Sequence, residues 1–265
     1  MKVEDCHECV LSKKSKIHFA ANYYLIVKRF ILIFLVVLSP YFCSSQVLIS
    51  LLLGDKLNSG KVEFGLEGGA NFMTLGGLPQ AKSSTGFNLG FYFDIKVKET
   101  PWMVHTGVIV KSSLGTEGLP PYSLNDPDLD KLFAAGTVER NFRYFNVPVT
   151  AKYNFKNHLS LDGGIMLGLL YKAFDKFNAD VNGSKLSYQV DVLDQYRRLD
   201  AGATAALSYK LMKGMGMNFS VRYYYGLADI TKSGVQPSQY NRSLYMVIGI
   251  PIGRGKALQK KESKN

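Results

Sequence analysis

A two-residue alternation of apolar and polar side chains runs through most of the chain. It is clearest from Arg143, in RYFNVPVTAKYNF. There Phe145, Val147, Val149, Ala151 and Tyr153 interleave with Tyr144, Asn146, Pro148, Thr150 and Lys152, the period of a strand with two unlike faces. Similar segments recur at 61–73, 86–97, 102–114, 141–153, 159–173, 199–210, 217–227 and 241–252. These eight segments of 11 to 15 residues are long enough to cross a bilayer as tilted strands, which takes about 9–11 residues.

The connections sort themselves. Residues 98–101, 154–158 and 211–216 are short turns, whereas 74–85, 115–140, 174–198 and 228–240 are longer. Strict alternation of short and long connectors is the pattern of an outer-membrane barrel, with tight periplasmic turns and long outer loops. A soluble sandwich or lipocalin-like barrel has no reason to sort its loops this way.

Face polarity points the same way. One face carries Phe, Val, Leu and Tyr. The other carries Glu63, Glu67, Asn71, Asp94, Lys96, His105, Lys111, Lys152, Asp162, Lys172, Asp200 and Arg222, with Gly65, Gly69, Gly90, Gly107, Gly164, Gly168 and Gly202. A small, polar interior and an apolar exterior describe an inverted, all-β fold: an eight-stranded antiparallel up-and-down transmembrane β-barrel. Eight strands leave an interior just wide enough for side chains to fill. The five acids and five lysines or arginines on this face are expected to pair into a plug, which disfavours a narrow channel. Pro148 lies mid-strand, and a closed barrel has no free edge for it. It is expected at a bulge or where the missing donor costs little.

The N-terminus carries a targeting pattern. Lys28-Arg29, the apolar run Phe30–Leu38, Pro40 and Cys43-Ser44-Ser45-Gln46 read as a secretory signal cut after Ser45. An uncleaved helix over 25–53 is the competing reading, broken by Pro40 and CSSQ before about 20 apolar residues accumulate. A lipid anchor on Cys43 is disfavoured by the bulky Tyr41-Phe42 before it. Val27, read as a start, would make the signal ordinary, so residues 1–26 look like an extension from a mis-assigned initiation codon. The organisation is then 1–45 extension and signal, 46–60 periplasmic leader, 61–252 barrel and 253–265 basic periplasmic tail. All three cysteines, Cys6, Cys9 and Cys43, precede the cut, which suits an oxidising periplasm. Cys6-His7-Glu8-Cys9 is half a zinc site with no second pair to complete it.

The charge of +11 falls to 26 − 18 = +8 after Ser45, and the tail from Gly253 supplies five bases and one acid of that excess. A periplasmic basic tail can meet anionic headgroups, peptidoglycan or an envelope protein. Nucleic acid is not a partner that compartment offers.

The strand Tyr144–Tyr153 resembles the Y-aliphatic-x-aliphatic-P-x-x-x-K-Y strand of the Bacteroidetes PorT-like outer-membrane β-barrel proteins. Arg222-Tyr223 with Gly226-Leu227 is similar to that family's penultimate strand, and Asp200-x-Gly202 to the strand before it. The resemblance covers about 60–252. It implies an outer-membrane barrel and, through the founding member, an accessory role in type IX secretion. The chain departs from the usual barrel end, where Ile250-Pro251-Ile252 replaces a terminal aromatic.

Candidate chemistry is sparse. His105 could serve a lipid-modifying esterase, but such a site needs a paired hydroxyl and an orienting group, and no local signature supplies either. A lumen histidine bonded to a polar neighbour is the plainer reading. Asp126, Asp128 and Asp130 alternate as in a calcium loop. Lys131 stands where the loop needs glycine, however, and Thr137 where it needs glutamate. An acidic patch near cations that bridge lipopolysaccharide is preferred. Asn182-Gly183 signals a tight hairpin, so the fifth and sixth strands are expected to continue beyond the membrane. No catalytic, cofactor-binding or metal-binding residue is assigned and no cofactor is expected. The expected role is structural or accessory and non-enzymatic, with an enzyme or a narrow channel as alternatives. Outer-membrane lipid, lipopolysaccharide, the barrel assembly machinery and an envelope or secretion-system protein are the partners implied. The location is the outer membrane, with both termini periplasmic.

Overall fold

The computed structural model describes residues 61–181, 183–211, 216–234 and 237–252. The proposed signal, leader and basic tail lie outside the described residues, as do the three cysteines. Among the described residues the strands are β1 Val62–Gly76, β2 Ser84–Lys96, β3 Trp102–Leu119, β4 Thr137–Asn154, β5 Leu159–Val181, β6 Ser184–Asp191, β7 Leu199–Lys210, β8 Asn218–Gly226 and β9 Tyr240–Pro251, with one short helix, α1 Pro127–Phe133. Every pairing is antiparallel. β1 pairs with both β2 and β9, and the remaining neighbours follow in sequence, closing a ring of eight. β6 stands apart from the ring and pairs only with the outer part of β5.

Closure satisfies the backbone, and alternation then sorts the side chains. Leu66, Leu89, Val149, Leu161, Ile165, Leu167, Leu207 and Ile248 are exposed on the outer wall. Trp102, Tyr153 and Phe155 cluster edge-to-face at the turn end. Phe145 stacks on Tyr171 toward the loop end, with ring centroids 4.6 Å apart. An apolar band between aromatic girdles is the outer surface of a transmembrane barrel.

Pro148 faces inward, and its register with β5 is unbroken (Pro148↔Met166). Pairing with β3 lapses instead, opposite Pro148 and Val147. The missing donor therefore falls at one rung on the β3 side, and the proline needs no bulge of its own.

Bulges do occur, and together with the end of β2 at Lys96 they correct three expectations. An extra residue in β3 lets Leu89 face Lys111 while Gly90 faces Ile109. Another in β5 lets Arg143 face Lys172 while Tyr144 faces Leu170. Each bulge reverses the phase of the strand beyond it. Lys111 and Lys172, expected in the lumen, consequently lie exposed on the outer wall, and Lys96 emerges at the turn-end mouth. The phase slips also hide the outer portions of β3, β4 and β5, which run five, four and eight residues past the alternation at 102–114, 141–153 and 159–173.

The hairpin at Gly183, whose φ is +78°, forms as its turn residue requires. It returns as the separate strand β6 and not as the barrel's sixth strand. A 3₁₀ turn at Leu193–Gln195 intervenes before β7 begins.

The face assignment is directly testable. Val149→Lys would place a charge in the apolar band at a cost of roughly 2–4 kcal/mol. Thr150→Val exchanges a buried hydroxyl that has no hydrogen-bond partner for a methyl of similar size. Heat-modifiable electrophoresis should show Val149→Lys assembling poorly and Thr150→Val close to wild type; the reverse order would turn the faces over.

Candidate functional site: the lumen plug and the loop cap

Inward-facing side chains meet across the lumen in two layers. At the turn end the layer is ionic. β2 supplies Asp94, which accepts from Lys152 Nζ of β4 at 2.8 Å and contacts His105 Nδ1 of β3 at 2.7 Å. The other ring nitrogen, Nε2, lies 3.0 Å from Arg222 Nη2 of β8. A guanidinium can only donate, so Nε2 accepts and Nδ1 carries the proton that it donates to Asp94. Arg222 also grips Glu67 of β1 with two bonds of 3.2 and 3.1 Å. Five strands are thereby tied across the lumen through one chain of polar contacts. Below it, Lys210 donates to Glu63 at 2.7 Å. The space left among Glu67, Asp94, His105, Asp162 and Arg222 is about 20 Å³, room for a water molecule and not for a substrate.

The layer above is apolar and aromatic. Met73, Leu75, Ile109, Leu114, Phe142, Met166, Leu170 and Val247 pack there with Tyr144, Tyr224 and Tyr245. Asn71, Asp162 and Asp200 are buried inside as expected, but so are tyrosines expected on the lipid side, which corrects that part of the reading. The tyrosines still reach polar partners. Asn241 donates to the Tyr144 hydroxyl at 3.2 Å and to Asp200 at 2.8 Å, and the Tyr245 hydroxyl lies 3.3 Å from Ser112 Oγ. Inward glycines make the rings fit. A Cβ on Gly65 would stand 2.4 Å from the Tyr92 ring, and one on Gly202 would stand 2.7 Å from Tyr224. Small beside large is how a narrow barrel fills its taper.

The loops close the far end. Val192 and Tyr196 from the β6–β7 connection and Ile230 from the β8–β9 connection are buried in the same apolar cluster. Arg140 holds Asp175 with bonds of 2.8 and 2.6 Å, while Tyr122 donates to Asp175 at 3.0 Å. Gln239 Oε1 accepts from the Tyr196 hydroxyl at 3.2 Å. A second small core of Leu119, Phe133, Val138 and Phe177 seats α1 on the β5–β6 hairpin.

The candidates weighed from sequence fall into this frame. His105 is buried in the ionic layer between Asp94 and Arg222, with no hydroxyl among its hydrogen-bond partners. Asp126 caps α1 by accepting from the Asp128 and Leu129 amides, and Asp130 accepts from the Leu124 amide and the Ser123 hydroxyl. Those carboxylates shape a loop. Of the five bases expected inside, Lys152 and Arg222 are there. Lys210 and Arg140 were missed. Lys210 shares the parity of Asp200 and could have been found by counting along β7; Arg140 likewise shares the parity of Lys152 along β4, but it lies before the segment whose alternation marks that strand.

Residues 53–232 match the family described as outer membrane protein beta-barrel domain. That match spans more than half of the chain, and the chain belongs to this family of bacterial outer-membrane proteins. Among solved structures it is similar to the attachment invasion locus protein Ail of Yersinia pestis, at 15% identity over 72% of this chain and 99% of that one, with a TM-score of 0.39. It is also similar to Neisserial surface protein A, at 12% identity over 72% and 96% with a TM-score of 0.37. A third is OprG of Pseudomonas aeruginosa, at 13% identity over 73% and 95% with a TM-score of 0.31. Among curated proteins, none matches the sequence.

Two outcomes are expected. Arg222→Met strands the buried Glu67 carboxylate and should cost about 3–5 kcal/mol, much of it recovered when Glu67→Gln is added; urea unfolding in detergent, followed by electrophoretic mobility, measures both. In the cap, burial opposes the charge of Asp229, yet the Thr231 amide and hydroxyl, Ser238 and the Gln239 amide hold its carboxyl down to about 2 from an ordinary 3.8. A lowered folded value stabilises above the unfolded one and is lost as pH falls through the folded one. Pepsin nicking within 227–239 should therefore rise between pH 4 and pH 2, and should already be high at pH 4 in Asp229→Asn.

Proposed function

We propose that this protein is a structural or accessory component of the outer membrane that works through its ordered loop-end surface, with a sealed lumen and no catalytic site. The observation that carries the reading is the double plug. Polar contacts from Glu67 to Lys152 span the turn-end half of the lumen, and beyond them apolar and tyrosine side chains, interleaved with buried Asn71, Asn146, Asp200 and Asn241, pack beneath Val192, Tyr196 and Ile230. A channel needs a continuous aqueous path, and a lipid-modifying enzyme needs its base beside an opening to lipid. His105 has about 20 Å³ around it, enclosed by strands.

The loops support the platform reading. A helix and a hairpin pack into a small core of their own above the barrel, and two connections bury side chains in the barrel's own cluster, a fixed surface suited to engaging another envelope protein. In this reading the short turns and both barrel termini lie on the periplasmic side, where the basic tail from Gly253 would reach headgroups or a partner. The likeness of the Tyr144–Tyr153 strand to PorT-like proteins supports an accessory role in type IX secretion as the specific form of this function.

In planar bilayers the purified protein should show no large, stable single-channel currents. Arg222→Met, which breaks the ionic layer, should conduct no more than brief events while the apolar layer holds. Steady conductance from the wild type would overturn the sealed-lumen reading.

A further inference from the structure

The two bulges do more than lengthen strands. By reversing the phase of β3 and β5 they turn Lys111 and Lys172 outward, on either side of Arg143 in β4. Lys111 and Arg143 lie close in register through the Ser112↔Tyr144 and Ser113↔Arg143 pairs, and Arg143 is opposite Lys172. Arg198 continues the row toward β7. It is exposed, its carbonyl accepts from the Leu170 amide at 2.7 Å, and its guanidinium donates to the Leu170 carbonyl at 3.3 Å.

Aromatic rings hold these cations against the wall. Lys172 Nζ and Arg143 Cζ lie 5.1 and 6.0 Å from the centre of the Phe174 ring, and Lys111 Nζ lies 5.4 Å from that of Phe87. Arg143 also donates to the Ser113 hydroxyl. Among the described residues none of the four cations forms a salt bridge with a carboxylate. Farther out the pattern changes, where Glu139 faces Lys176 and Asp180 faces Lys185. The four cations thus share one level of the wall.

That level coincides with a membrane boundary. Along β4, Arg143 is ten residues from Tyr153 in the turn-end aromatic cluster. Ten residues at about 3.3 Å each, tilted by about 40°, rise about 25 Å, the height of the apolar band of such a barrel. The Phe145–Tyr171 pair sits just below the row. Cations that rim an apolar band, in salt-bridge contact with no carboxylate among the described residues although Asp191 faces Phe174 in register, face the depth at which the charged headgroups of the adjoining leaflet lie.

We propose that Lys111, Arg143, Lys172 and Arg198 form a binding site on the outer wall for the phosphate groups of a phosphorylated glycolipid, the lipopolysaccharide headgroup of the loop-side leaflet. Planar guanidinium forks and lysine ammoniums are the groups that hold phosphate. A row across three strands and the residue that precedes β7 matches a headgroup wider than one phosphate. The choice of glycolipid rests on the orientation proposed above, with the loops on the cell exterior.

Native mass spectrometry of the detergent-purified protein tests this, with added lipopolysaccharide, its dephosphorylated form and phosphatidylglycerol as separate probes. The combined variant Lys111→Gln/Arg143→Gln/Lys172→Gln should bind lipopolysaccharide about tenfold more weakly, as the sum of several modest surface ion pairs. A charge-matched control, Lys131→Gln/Lys185→Gln/Lys232→Gln, should bind like wild type, and wild type should bind the dephosphorylated form as weakly as the triple variant binds the intact one. Equal binding by the triple variant and wild type, or no loss on dephosphorylation, overturns the site. Phosphatidylglycerol bound as tightly as lipopolysaccharide overturns the choice of glycolipid. Heat-modifiable mobility reports whether the triple variant folds. If it does not, Lys172→Arg should retain binding and Lys172→Gln lose it, and equal binding by these two counts against the site. Detergent has no sides, so the affinity contrast is independent of orientation. Protease accessibility of the C-terminal tail on intact cells tests orientation separately, and a tail exposed outside removes the glycolipid as the source while leaving the contrast to stand.

Discussion

Inside a bilayer no water is available to a backbone amide, so each N–H and C=O must find its partner within the protein. The β1–β9 ladder, running from Gly65↔Pro251 to Gly76↔Tyr240, is where this chain meets that constraint, because without it the sheet would have two open edges in lipid. Closure at eight strands fixes the bore, and the bore decides what goes inside. A space that narrow must be filled by side chains. Those on the inner face are drawn from both chemistries, while the outer face within the band is largely aliphatic and aromatic. The ionic layer and the tyrosine layer are two answers to one packing requirement.

The same constraint accounts for Pro148. In a closed sheet the loss of one donor cannot be moved to an edge, so it is localised at a single rung toward β3 while β4–β5 pairing continues. The final strand ends on another proline, Pro251, opposite Gly65, and the Ile252 amide donates to Phe64 O at 2.9 Å. The seam thus runs to the last described residue without a terminal aromatic.

The ring of eight, the alternation of short and long connectors and the inward orientation of Glu67, Asp94, His105, Lys152, Asp200 and Arg222 were all legible in the sequence, because a two-residue period survives wherever the ladder is regular. What was not legible lies beyond the bulges. One inserted residue changes the face of everything after it, and nothing local to Lys111 or Lys172 announces the insertion. Tyrosines misled for another reason. Tyr92 and Tyr224 have the parity of the interior, but a Tyr is apolar enough to pass for a lipid-facing residue until the glycine packed against it, Gly65 or Gly202, is known. The cap was invisible because its contacts join residues far apart in the chain, such as Arg140 with Asp175 and Tyr196 with Gln239.

The bulges have a further consequence, for how such a chain can change by descent. In a regular transmembrane strand, loss or gain of a single residue exchanges the two faces of the whole remainder and should be purged. At the bulge in β3 or in β5 the phase of the wall below is already uncoupled from that above. A one-residue length change there leaves the membrane-embedded part intact and alters only the emergent portion. The lipid-embedded cylinder and the surface it presents can therefore vary as separate heritable units within one continuous strand.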